Sequence, residues 1–90
     1  MTGQFVISKA GHDKGTIYMI VAEEEEFVYL SDGQLKTPEN PKKINRKHVQ
    51  PINRMADSGL CEKLNDGRAV RPEEIRYAIR QYSENQVSKM

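Results

Sequence analysis

The residues best suited to chemistry stand in Lys9-Ala10-Gly11-His12-Asp13-Lys14-Gly15, where two lysines, a histidine and a carboxylate share seven positions with two glycines. Lysine ammonium groups attract phosphate, and glycines let backbone N–H groups approach an anion or a base edge closely. Asp13 is of the type that steadies such a turn by accepting backbone N–H bonds. A second candidate is Lys42-Lys43-Ile44-Asn45-Arg46-Lys47-His48, whose cations could contact several phosphates and make binding fall steeply with salt. Its Asn45 and His48 could add hydrogen bonds or stacking on unpaired bases. The plainer readings are a tight hairpin with charged residues in water and a solvated loop.

Catalytic chemistry finds no such support. His12, His48 and Cys61 do not give zinc-ligand spacing, the acidic residues follow no calcium-loop pattern, and no glycine pattern for nucleotide phosphates occurs. No nucleophile has a base at a suggestive spacing. The expectation is therefore a protein that is not an enzyme, with no metal, no cofactor and no small-molecule substrate. Cys61 is the single cysteine, so an internal disulfide is impossible; this agrees with a reducing, cytoplasmic setting, and Cys61 reads as a small packing residue.

Charge is unevenly placed. The chain carries a net charge of +1, yet positions 1–35 hold two lysines against six acids, while 36–54 hold six basic residues against Glu39 alone. That concentrated basic segment is the footprint phosphate binding requires. The acidic run Glu23 to Glu26 reads as a solvated hairpin tip with no metal role, directed away from bound nucleic acid.

These groups need a scaffold, and the pattern is mostly strand. Strands are predicted near Gln4–Ser8, Thr16–Ala22 and Phe27–Ser31, with Asp32-Gly33 turning the chain into Gln34-Leu35-Lys36. The second strand is apolar on both faces, Ile17, Met19 and Val21 on one and Tyr18 and Ile20 on the other. A one-sided open sheet would expose one set, so a closed barrel or a sheet covered by another element is expected. Pro38 and Pro41 mark a surface loop, and Lys47–Ile52 reads as a last strand that Pro51 confines to an edge. Leu60 and Leu64 fit a short helix capped by Asp57 or Ser58 and ended by Asp66-Gly67. Pro72 to Tyr82 reads as an amphipathic helix with Ile75, Ala78, Ile79 and Tyr82 on the face that packs on the sheet, and fraying is expected from about Ser83. Phe5, Tyr18, Phe27, Tyr29, Tyr77 and Tyr82 are expected to serve as core rather than as a stacking platform.

The run GQFVISKAGHDKGTIYMIV resembles the KOW motif, a strand-loop-strand element of RNA-binding and ribosomal proteins. With FVYLSDGQLK and PKKINRKHVQ, it is similar to the KOW proteins related to eukaryotic-type large-subunit ribosomal proteins and to their small bacterial relatives. The resemblance spans roughly Gly3 to Gln50. It departs from many KOW sequences in having Thr16-Ile17-Tyr18 where a further glycine is common. What it implies is a mainly β fold, a small SH3-like (KOW-type) barrel over 1–52, followed by a C-terminal extension over 53–90 with its helix near 72–82.

The function it implies is non-catalytic RNA binding in translation, directed at ribosomal RNA, as a ribosomal or ribosome-associated protein with ribosomal proteins as further partners. The residues expected at the RNA are Lys9, Gly11, His12, Lys14, Gly15, Lys42, Lys43, Asn45, Arg46, Lys47 and His48. The alternative is a protein-interaction adaptor that uses the barrel and the C-terminal helix, since a fold does not settle a function. No apolar run approaches the ~18 residues of a membrane span, and no secretory signal is expected.

Overall fold

The computed structural model describes residues 2–9 and 14–88, with the backbone alone over 85–88. Five strands and two helices follow one another as β1 (Gln4–Ser8), β2 (Ile17–Glu23), β3 (Phe27–Ser31), β4 (Lys42–Asn45), β5 (Val49–Met55), α1 (Ser58–Asn65) and α2 (Pro72–Ser88). A single 3-10 turn, Arg46–His48, joins β4 to β5. The strands form one sheet in the order β4-β3-β2-β1-β5, antiparallel at every pairing.

Alternation along β2 sorts the core into two layers. Val6, Tyr18, Ile20, Val28, Leu30 and Val49 gather on one face, with Ile44 against them. Phe5, Met19 and Val21 lie on the other, under Leu60 of α1 and Ile75 of α2. A register shift makes Val21 the extra residue of β2 between Ile20, opposite Leu30, and Ala22, opposite Tyr29, and Val21 stays on the Met19 face under the helices. Apolar residues on both strand faces are thus accounted for, one face by the sheet's own curl and the other by helices.

The curl follows from chain length. A flat sheet of five strands would hold its edges about 19 Å apart at ~4.8 Å per strand. The edge strands β4 and β5 are joined through the short 3-10 turn, a connection of at most ~14 Å from Asn45 to Val49. The sheet must therefore bend its edges toward each other. It does not close: among the described residues β4 pairs with β3 alone and β5 with β1 alone. Both edges resist further pairing, β4 by its shortness and two lysines, β5 by Pro51 and by a bulge beside Ile52, whose carbonyl accepts a bond from Gln4 Nε2 at 3.1 Å.

Three predicted boundaries need correction. Asp32-Gly33 does not lead into a strand at Gln34–Lys36, because the Asp32 carboxylate accepts the Gln34 and Lys36 amides at 2.8 and 2.9 Å and so removes the donors that a ladder would need. The fourth strand is instead Lys42–Asn45, and the last begins at Val49 rather than Lys47. The C-terminal helix does not end at Tyr82 but runs to Ser88.

The helix ends agree with their capping chemistry. Asp57 caps α1 by accepting the Leu60 amide at 3.1 Å, and Gly67 follows the helix at φ 70°. Glu74 accepts the Arg71 amide at 2.9 Å at the start of α2 and pairs with Lys63 of α1 at 2.8 Å, tying the helices together. Among the described residues no helix is long and apolar enough to cross a membrane.

Candidate nucleic-acid interface

The turn between β1 and β2 is fixed at its base. Ser8 N–H donates to the Thr16 carbonyl at 3.0 Å and Gly15 N–H donates to the Ser8 carbonyl at 2.8 Å, so Lys9 and Lys14 leave the sheet side by side. Gly15 has φ 90° with open space around it, a backbone that only glycine adopts cheaply. The expected site residues Gly11 and His12, with Asp13, lie outside the described residues.

The basic segment meets this base directly. Lys9 N–H donates to the His48 carbonyl at 2.9 Å, which seats the end of the 3-10 turn against the start of the glycine loop. The Asn45 side chain caps that turn by accepting the Lys47 amide at 3.1 Å. Lys47, His48, Lys9 and Lys14 are all exposed. Lys42 Nζ lies 5.8 Å from the ring centre of Tyr18, the residue opposite Val6 on the strand that leaves the loop.

Lys43 and Arg46 go elsewhere. Arg46 donates to the Glu24 and Glu25 carbonyls, at 2.7 and 3.0 Å, and pairs with the Glu23 carboxylate at 3.0 Å. Lys43 lies 3.8 Å from Glu24 and 4.6 Å from the ring centre of Phe27. The acidic run, expected to be a solvated hairpin tip, holds these two cations of the basic segment. The reason is the pairing of β4 with β3, which sets Asn45 opposite Phe27 beside the hairpin tip and lets Arg46 N–H bond the Glu26 carbonyl. Burial works to raise the Glu23 carboxyl, but the Arg46 hydrogen bond and nearby positive charge outweigh it and hold the group below its usual range.

Most of the aromatic residues are core as expected, Phe5 and Tyr18 fully so, while Phe27 and Tyr29 are half-buried. Tyr77 departs from the expectation, with 63% of its surface exposed. It borders a groove of about 530 Å³ between α1, α2 and the end of β5, lined also by Phe5, Met55, Leu60 and Tyr82. Periodicity has no means of finding this groove, because it depends on how two helices dock. Burial, then the nearby Asp57 charge, push the Cys61 thiol above its ordinary pKa, so it is a poor nucleophile. Among the described residues no group of three or more His, Cys, Asp or Glu side chains could hold a metal ion.

No protein-family model matches the chain, and no curated protein matches it.

Proposed function

We propose that this chain is a non-catalytic RNA-binding module of the KOW type, acting on structured ribosomal RNA as a ribosomal or ribosome-associated protein. The observation that carries the reading is the bond from Lys9 N–H to the His48 carbonyl, which ties Lys9, at the base of the glycine loop, to the end of the basic segment. Lys9, Lys14, Lys42 and Lys47 would contact phosphate, and His48 would offer a polar contact beside them. The strand order β4-β3-β2-β1-β5, the curl, and a 3-10 turn between β4 and β5 support the finer reading of the fold as an SH3-like barrel. Sedimentation of the tagged protein with ribosomal particles tests the proposal: co-migration at low salt that is lost at high salt supports it, and absence from every particle fraction at low salt overturns it.

The groove beside Tyr77 favours a second reading, an adaptor that docks a protein partner on the helices. A partner that stays bound after nuclease treatment would favour it over RNA binding.

A further inference from the structure

Arg46 and Lys43 carry the charge of phosphate ligands, yet their partners are already in place. Arginine recognises phosphate through two parallel N–H groups along one edge of the guanidinium. Here that edge is filled: Nε donates to the Glu24 and Glu25 carbonyls at 3.2 and 3.0 Å, and Nη2 donates to the Glu24 carbonyl at 2.7 Å and to Glu23 Oε1 at 3.0 Å. Lys43 faces the carboxylate of Glu24 at 3.8 Å. Two cations therefore meet two carboxylates, and the neighbouring Glu25 and Glu26, both exposed, add negative charge within a Debye length of ~8 Å.

We propose that the acidic β2–β3 hairpin is an internal competitor for phosphate: Glu23 and Glu24 neutralise Arg46 and Lys43 and confine nucleic-acid contact to Lys9, Lys14, Lys42 and Lys47. The inference rests on the RNA-binding reading for its biological meaning, but the competition itself is a property of the hairpin. Glu23 and Glu24 then set selectivity, since a densely charged polyanion gains nothing from Lys43 and Arg46. Arg46 becomes a positioning residue that holds the 3-10 turn on the hairpin.

The test compares Glu23→Gln/Glu24→Gln with Glu25→Gln/Glu26→Gln, which removes equal charge from the same hairpin but leaves the contacts to Arg46 and Lys43. Binding to an RNA hairpin is measured against salt, and elution from immobilised heparin gives a readout independent of RNA. In the first variant the slope of log affinity against log salt should steepen by ~0.7 to 0.9 for Lys43, since the Glu24 and Glu25 carbonyls still hold the Arg46 edge, and elution should need more salt than for the second variant. Equal changes in the two variants, or none, overturn the proposal. A wild-type chain that ignores RNA while the first variant alone gains heparin retention refutes the RNA reading and keeps the competition. A milder variant leaves the hairpin intact: Lys43→Gln should leave the salt needed for heparin elution at the wild-type value while Lys47→Gln lowers it, and equal lowering by both counts against the proposal.

Discussion

The amide of Lys9 donates to the carbonyl of His48 across 2.9 Å, joining two segments 39 positions apart in sequence. Each segment alone is an ordinary charged loop. Together they join the exposed Lys9 at the loop base to the end of the segment that carries the exposed Lys47 and His48. Exposed lysines make little of the core, so they can be removed without loss of the fold.

Lys14→Ala is accordingly expected to weaken RNA binding and flatten its salt slope by ~0.7 to 0.9 while the melting temperature stays within a degree or two. Filter binding over a salt series with a parallel thermal melt checks both. Unfolding of this variant would make Lys14 a structural residue.

Two glycines with positive φ should respond differently to alanine. A Cβ at Gly15 would meet no atom within 4 Å, so Gly15→Ala carries only the backbone cost, about 1 kcal/mol. At Gly33 a Cβ would lie 2.5 Å from both Arg76 N and the Pro72 carbonyl, atoms of the α2 backbone that cannot move aside cheaply. Gly33→Ala should therefore cost more than about 2 kcal/mol or prevent folding. Urea unfolding of the two variants decides the order.

Acid should weaken the link between the helices. The bond from Lys63, followed by the one from the Arg71 amide, holds the Glu74 carboxyl below its usual range. A depressed folded pKa means that the stabilisation is present above the unfolded value, about 4.3, and is lost as pH falls through the folded value. The pair is partly exposed, its side chains at 40% and 32%, so solvent screening sets a scale of ~0.5 kcal/mol, or about 2 to 4 °C in melting temperature. Glu74→Gln should melt lower than wild type by that amount at pH 7 and equal to it near pH 2.

What the sequence made legible was local. Strands β1 and β3, the two faces of β2, the Asp57 cap and the stripe on α2 all follow from spacing within a few residues, and the structure agrees. What stayed hidden depends on distant partners. Lys42–Asn45 has too few apolar residues to announce a strand, and it becomes one because Val28 and Leu30 of β3 offer a ladder. The docking of Arg46 on the acidic hairpin required knowing that pairing first. The loop after Ser31 departs from its hairpin signal because a side chain, Asp32, takes amides that a hairpin would have used.

The longest-range packing, that of α2 on the sheet, yields the sharpest stability prediction. The Tyr82 ring stacks on Phe5 of β1 with centroids 5.1 Å apart and planes inclined by 24°, and Ile75 is fully buried one layer deeper. Ala78 and Ile79 complete the contact with the cluster that contains Met19 and Val21. Fully burying an isoleucine contributes roughly 1.5 to 3 kcal/mol, so Ile75, with a smaller share from the partly buried Ile79, is a large part of the ~5 to 10 kcal/mol that holds a small domain together. Truncation after Val70 should thus cause aggregation or a large fall in melting temperature. The point variant Ile75→Ala keeps the helix and should cost ~2 to 5 kcal/mol by leaving a cavity over Met19. Tyr77→Ala, on the exposed side of the same helix, should change stability by less than ~0.5 kcal/mol. A truncated chain that melts like the full one, or an Ile75→Ala variant no weaker than Tyr77→Ala, would show that α2 does not support the sheet and would return its apolar face to a partner.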